Sequence, residues 1–255
     1  MRKLFRIALV AAGLAVTTGA AVASEGGAPL MKPGFSFEGV FGQYDKAALK
    51  RGWQIYHDVC SNCHSMRLLS YRNLAYVGLS DDQIKTVAGE KEVQDGPNDE
   101  GQMFMRSARA SDRFVPPFPN DQAARASNNG ALPPDLSLMT KARPHGPDYV
   151  YSLLLGFEDT PPEGAVVPEG MFYNKVFPGH NIGMPPQLQD DLVTYEDGTK
   201  ATKEQEAKDI VTFLNWAAEP ELDARKSMGL KVMLFLAVMT ALFYALKRQI
   251  WKDVH

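Results

Sequence analysis

Cysteine is scarce, with two residues in a chain of 255. That excludes a disulfide-dense scaffold and leaves too few thiols for a four-cysteine zinc site. Basic charge is not in surplus either. Between residues 24 and 224 the chain holds 18 Lys and Arg against 29 Asp and Glu, although the whole sequence sums to only −3. So acidic a segment does not suit nucleic acid, and it suits a basic protein partner. Strand-like alternation is also sparse. With 45% hydrophobic and 22% charged residues, 21 Gly and 17 Pro, the composition excludes collagen-like and disordered chains and allows one or two globular domains.

Long apolar runs occur only near the two ends. Arg2, Lys3 and Arg6 precede an apolar run from Ile7 to Val16 and the small-residue site Ala21-Val22-Ala23. This is the pattern of a secretory signal, cut before Ser24 or one or two residues later. The second run, Met228 to Ile250, has fifteen uncharged residues at its centre, Val232 to Leu246. Twenty-three helical residues rise about 34 Å, enough to cross a hydrocarbon core of about 30 Å. Tyr244 and Trp251 suit a water–lipid boundary, and Lys247, Arg248 and Lys252 suit the cytoplasmic side. Flanking charge alone does not orient the segment, because Arg225, Lys226 and Lys231 balance it. The signal does orient it. The reading is therefore a cleaved signal at 1–23, an exported domain at 24–224 and an anchor at 225–255 with a helix about 228–250. That places a single-pass protein in a bacterial inner membrane, with its domain in the periplasm and its C-terminus in the cytoplasm.

The exported segment reads as helical at its ends and irregular between. Asp45 is an N-cap for a helix through Val59 with Ala48, Gly52, Ile55 and Val59 on one face. Thr202-Lys203-Glu204-Gln205 has capping-box spacing, followed by Ala207, Ile210, Val211, Leu214 and Ala217 at helical intervals. A third helix is expected from Pro147 to Leu155. Residues 89–101, 115–134, 159–170 and 178–186 read as loops, and a hairpin is possible around Tyr195-Glu196-Asp197-Gly198. A break at Asp223 to Ser227 separates the domain from the anchor.

Chemistry concentrates at Cys60-Ser61-Asn62-Cys63-His64, the Cys-x-x-Cys-His pattern of covalent haem attachment. Two thiols one turn apart can form thioethers with the two vinyl groups, and the adjacent imidazole can ligate iron. The cofactor expected is one haem c, whose apolar bulk would supply core that a loop-rich chain lacks. Other uses of the pattern fit less well. A redox dithiol wants a β-α-β context, zinc wants a second cysteine pair, and a disulfide across so short a span is strained.

A second axial ligand separates an electron carrier from a haem with an open site. Met184 stands in Gly179-His180-Asn181-Ile182-Gly183-Met184-Pro185-Pro186, where glycines permit close approach and prolines stiffen the chain. A thioether there would close the site and raise the potential. Met103, Met105, Met139 and Met171 stay open as rivals, as do His145 and His180. Arg143 and Tyr149 are candidates beside the haem, Arg143 to balance propionate charge.

These residues resemble the cytochrome c1 family, the membrane-anchored haem subunits of the cytochrome bc1 complex. The resemblance rests on Phe35-Ser36-Phe37-Glu38-Gly39, the haem motif running on to Ser65-Met66, Leu132-Pro133-Pro134-Asp135-Leu136-Ser137, Asp148-Tyr149-Val150, the Met184 loop, Trp216-Ala217-Ala218-Glu219-Pro220-Glu221, and Arg225-Lys226 with Met228-Gly229. It implies a mostly α fold, a class I cytochrome c-like haem domain with long loop insertions at 81–130 and 157–170, plus one C-terminal transmembrane helix. It implies haem c on Cys60 and Cys63, axial His64 and Met184, and Arg143 and Tyr149 beside the haem. The implied role is electron transfer, from the Rieske iron–sulfur protein to a soluble cytochrome c, in a complex with cytochrome b. Such a chain is no enzyme alone; it is the redox subunit of a ubiquinol–cytochrome c oxidoreductase. The acidic residues Glu90, Glu92, Asp95, Asp99 and Glu100 could steer a basic cytochrome. The alternatives are a free-standing tethered cytochrome serving an oxidase or reductase, and a haem sensor or enzyme with a labile sixth ligand. An extra cysteine pair that some bacterial relatives carry near the Met loop is missing here, so packing or proline must restrain that loop.

Overall fold

The computed structural model describes residues 28–253, so the expected signal lies outside the described residues. Among these, the chain forms seven α-helices and two small antiparallel sheets. The helices are α1 Lys46–Asp58, α2 Leu74–Val77, α3 Asp81–Gly89, α4 Asp121–Ser127, α5 Gly146–Leu155, α6 Lys203–Ala218 and α7 Leu222–Ile250. The sheets pair β1 Glu92–Asp95 with β2 Phe104–Ser107, and β3 Phe172–Tyr173 with β4 Asn181–Ile182. The fold is mostly α.

Local chemistry starts the main helices where expected. The Asp45 carboxylate accepts from the Ala47 and Ala48 amides at 2.9 and 3.4 Å, capping α1. Thr202 Oγ1 accepts from the Gln205 amide at 3.2 Å. Only that half of the capping box forms, because Gln205 Nε2 turns instead to both Asp209 oxygens at 3.0 Å. Helix α5 starts one residue earlier than predicted, at Gly146, after His145 takes a left-handed φ of 63°.

The core is the crossing of α1 over α6. A Cβ on Gly52 would collide with the Asp209 carbonyl and lie 2.7 Å from Phe213 Cβ, so the helices touch backbone to backbone. Trp53 and Tyr56, on α1, pack on Phe213 with ring centroids 5.8 and 5.7 Å away. Phe114 covers the same pair at 5.6 and 6.1 Å. Burial on α6 extends beyond the predicted stripe to Glu206, Asp209, Thr212, Asn215 and Trp216, which makes α6 the central helix. Asp209 and Asn215 have partners of their own, whereas the Glu206 carboxylate is buried without one among the described residues. Arg51 grips Asp209 with two bonds of 2.8 and 2.9 Å, and reaches Asp197 at 2.7 Å. Asn215 Nδ2 donates to Tyr44 Oη at 2.9 Å.

Five readings need correction. Residues 178–186 are not all loop, since β4 lies there and pairs with β3, too short a strand for alternation to announce. Residues 89–101 are not simply loop, since β1 lies there and pairs Glu92 with Ser107 through Asp95 with Phe104. The signal was hidden because β1 carries one apolar residue, and Arg106 holds the hairpin through Asp95 and Asp112. Residues 115–134 contain α4, capped by the Asn120 side chain on the Ala123 amide at 2.8 Å. The Tyr195–Gly198 stretch is a turn with no flanking strands, its residues engaged instead with α1 through Lys50–Glu196 and Arg51–Asp197. No break separates domain from anchor, because α7 is continuous from Leu222.

Helix α7 spans 29 residues with a mean hydropathy of 2.0 over its most apolar 18, long and apolar enough to cross a bilayer. Its first turns are pinned to the domain. Asp223 accepts from the Tyr44 amide at 3.1 Å and the Tyr76 hydroxyl at 2.7 Å. Glu219 bridges Lys141 and Arg225 at 2.9 and 2.8 Å.

Two outcomes follow from the α1–α6 core. Gly52→Ala should cost about 1–3 kcal/mol by overpacking, whereas Gly89→Ala, with open space around it, should be neutral or gain up to about 1 kcal/mol; denaturant midpoints compare them. Burial pushes the Glu206 carboxyl up to about 7, against about 4.3 in an unfolded chain. The fold therefore carries a penalty that grows as pH rises from about 4 and is complete above the folded value. The stability gain of Glu206→Gln over the parent should be larger at pH 8 than at pH 5 in unfolding curves.

Candidate functional site

Helix α1 delivers the Cys-x-x-Cys-His segment directly. After Asp58 the chain tightens into a 3₁₀ turn at Cys60–Asn62. The Cys63 and His64 amides both donate to the Cys60 carbonyl, at 3.2 and 2.9 Å. Ser61 Oγ donates to the His57 carbonyl at 2.7 Å, and Asn62 Nδ2 to the Asp58 carbonyl at 3.1 Å. These bonds extend the helix's ladder and hold the two sulfurs one turn apart. Cys60 is half-buried and Cys63 exposed, both as free thiols. Burial pushes the Cys60 thiol up to about 12, so it stays protonated at neutral pH.

His64 is oriented by a carbonyl. Its Nδ1 lies 2.8 Å from the Pro134 oxygen. A carbonyl only accepts, so Nδ1 carries the proton and Nε2 keeps its lone pair. Burial lowers the imidazole's pKa, which favours the neutral form a metal needs. Tyr56 Oη donates to the His64 carbonyl at 3.3 Å, steadying the backbone beneath the ring.

The carbonyl that orients His64 is itself held by Asp135. That carboxylate accepts from Ser65 Oγ and the Arg67 amide, each at 2.8 Å, and from the Ser137 amide at 2.9 Å. Burial opposes its charge, but these donors from Ser137, Arg67 and Ser65 outweigh it and lower the pKa. The Leu136 amide donates to the Ser65 carbonyl at 2.8 Å, completing a strap across the motif. Beside it, Cys63, Ser65 and Arg67 face Pro116, Pro117, Phe118, Leu132 and Pro133 across an open cleft.

The same strap meets the Met184 loop. A Cβ on Gly183 would lie 2.9 Å from Ala131 Cβ, so the residue beside Met184 touches the chain three residues before Pro134. Met184 is half-buried. Further along the strap, Arg143 is exposed and Tyr149 half-buried on α5. Burial raises the Tyr149 pKa, and the Arg143 charge near it pulls the other way. Thus Cys60, Cys63 and His64 share one turn, the loop of Met184 meets the strap where Gly183 touches Ala131, and Arg143 and Tyr149 stand at the strap's far end. The rivals are placed otherwise. His180 Nδ1 lies 3.3 Å from the Asn174 carbonyl and its ring stacks on Tyr173 at 5.6 Å. His145 is an exposed helix cap, Met103, Met105 and Met171 are exposed, and Met139 packs on the core.

The donor set fits a covalently held haem: two thiols a turn apart, an imidazole nitrogen left open and a partly apolar cleft, with a thioether on the loop that meets the strap. Sequence reasoning assigned no role to Pro134 or Asp135. Their signal was the Pro-Pro-Asp-x-Ser string, in which Asp135 makes an Asx turn that no helical or strand period reports. Of the five acidic residues proposed to steer a partner, Asp95 is engaged by Arg106 and Glu90 lies 3.2 Å from His57. Glu92, Asp99 and Glu100 remain exposed around the hairpin.

Comparison with known proteins gives a consistent picture. The sequence profile described as Cytochrome C1 family matches residues 35–254. "Cytochrome c1" of Rhodospirillum rubrum is 53% identical, covering 100% of this chain and 99% of that one. "Cytochrome b-c1 complex catalytic subunit, mitochondrial" of Candida albicans is 46% identical, covering 94% of this chain and 83% of that one. "Cytochrome b/c1" of Bradyrhizobium diazoefficiens is 46% identical over 98% of this chain, which spans 40% of that protein.

The strap's hold on His64 is open to test. Asp135→Ala orphans the Ser65 hydroxyl and the Arg67 and Ser137 amides, and should cost about 2–4 kcal/mol of stability. Asp135→Asn, which retains one acceptor oxygen, should cost less, and unfolding midpoints rank the two.

Proposed function

We infer the function from one premise: the chain belongs to the cytochrome c1 family. Its role is that of the electron-transfer subunit of a ubiquinol–cytochrome c reductase, the cytochrome bc1 complex. The observation that carries this reading is the committed Nδ1 of His64, on the same turn as both thiols, which leaves Nε2 as the metal-facing nitrogen.

A bound haem c would supply a one-electron iron couple. The chain's part is to hold and tune it. Cys60 and Cys63 would anchor it by thioethers, so it cannot leave for the periplasm. His64, with its imidazole neutral and its ring fixed by Pro134, would hold the iron through Nε2. Met184 would supply the second iron ligand, a soft donor that would favour the reduced metal and raise the potential. Arg143 and Tyr149 would face the propionates, with the guanidinium balancing their charge. The protein makes and breaks no substrate bond; it is the redox subunit of a larger oxidoreductase.

The arrangement in the membrane follows from the two apolar segments. Residues 1–23 direct export, residues 24–224 form the periplasmic haem domain, and residues 225–255 anchor it to the bacterial inner membrane with the C-terminus in the cytoplasm. Electrons enter from the Rieske iron–sulfur protein beside cytochrome b and leave to a soluble cytochrome c. The acidic domain, with Glu92, Asp99 and Glu100 exposed on its hairpin, would attract a basic carrier.

Two measurements on matured protein test the assignment. Colour should stay with the polypeptide through acid–acetone extraction, and its complete loss overturns covalent attachment. Met184→Leu should admit carbon monoxide to the reduced protein and lower the midpoint potential by on the order of 0.1 V, a fraction of the about 0.8 V that axial ligation commands. An unchanged spectrum and potential would remove Met184 as ligand.

A further inference from the structure

Two of the most exposed apolar side chains outside α7 lie side by side. Val40 is 74% and Phe41 78% exposed, at the tip of a loop whose base residues Phe35, Phe37 and Tyr44 are buried. The loop is rigid by construction. The Glu38 amide donates to the Phe35 carbonyl at 3.1 Å and the Gln43 amide to the Ser36 carbonyl at 3.0 Å. Gly39 takes a left-handed φ of 69°, and a Cβ on Gly42 would collide with the Glu38 carbonyl. The tip is therefore held out in water by a backbone that has no slack to fold it in.

The height of the tip is set by α7 itself. Lys226 Nζ donates to three loop carbonyls, Phe37 and Gly39 at 2.6 Å and Gly42 at 3.2 Å, using all three ammonium donors. Lys226 stands at the foot of the apolar segment. A hydrocarbon core of about 30 Å takes roughly 20 helical residues, and centring those on the uncharged stretch Val232–Leu246 puts its outer boundary near Gly229. Lys226 is then about 4–5 Å above that boundary, within a headgroup layer about 5–7 Å deep. Its ammonium thus ties the loop carbonyls of Phe37, Gly39 and Gly42 to the foot of the span.

We propose that Val40 and Phe41 insert into the bilayer surface as a second, non-helical membrane contact, fastened to the anchor by Lys226. The occupant is lipid at the boundary between headgroups and acyl chains, where an apolar tip on a polar loop is stable. The proposal rests on reading α7 as a membrane span. It gives the domain two points of attachment a loop's width apart, which limits its tilt about the helix axis.

Nitroxide accessibility tests this in the full-length, haem-bearing chain, extracted with its partners and reconstituted in phosphatidylcholine vesicles. Labels are placed by Phe41→Cys at the tip, Ala237→Cys in mid-helix and Glu196→Cys as the aqueous reference, with the unsubstituted chain as background. The expected result is a higher oxygen-to-nickel-chelate accessibility ratio at 41 than at 196, with 237 higher still. A tip as nickel-accessible as position 196, with 237 in lipid, overturns the insertion while leaving the span intact. A tip shielded from both reagents means that protein covers it, and equally overturns the proposal. Water accessibility at 237 overturns the span and the insertion with it.

Discussion

Everything in the domain is referred to the contact of Gly52 with Asp209, where two helices touch without a side chain between them. The absence of one Cβ sets the distance between α1 and α6, and the Arg51–Asp209 pair beside it sets their rotation. A buried carboxylate that accepts from a guanidinium fork and from Gln205 leaves little freedom to slide, since any shift strands charge in a dry interior. The 3₁₀ turn bearing both thiols and His64 is simply the continuation of α1. Its position relative to the core is thus inherited from the crossing.

The strap from Ala131 to Tyr149 is built on a different principle. It has almost no regular structure before α5, yet it is held as firmly as a helix because Asp135 and the Ser65 and Pro134 carbonyls satisfy one another's neighbours. One half-buried carboxylate replaces the ladder that secondary structure would supply. The functional consequence is directional. A carbonyl rather than a carboxylate orients His64, so the ring is held neutral and its partner nitrogen keeps its lone pair without added negative charge. In the proposed haem protein that choice favours a high potential, as the proposed methionine ligand would.

The domain and its anchor are not joined by a hinge. Asp223, Glu219 and Lys226 fasten the first turns of α7 to Tyr44, Tyr76, Lys141 and the loop at 37–42. Asp223 and Lys226, within what looks like a polar break in the sequence, are polar because they face protein rather than lipid. A relay that must hold its cofactor at fixed distances from two partners gains from such a stiff foot, because electron transfer falls off steeply with separation.

Much of this was legible from residue order alone. Caps at Asp45 and Thr202, the helix entered at Gly146-Pro147, the apolar C-terminal segment and the Cys-x-x-Cys-His pattern are local, and local chemistry is written along the chain. The thiols and His64 are adjacent in sequence, so their grouping needed no fold. The hairpin at 92–107 escaped because its pairing depends on Arg106 reaching Asp95 and Asp112, not on alternating apolar residues. The depth of α6 escaped because polar residues at Glu206, Asp209 and Asn215 look solvent-facing until their surroundings are known. Above all, tertiary structure alone decided which atom orients His64, which residue lies against the Met184 loop and what Lys226 holds. Those contacts join positions 70, 52 and 184–189 residues apart, and no periodicity reaches so far; only the closure of the chain on itself brings a proline carbonyl to an imidazole.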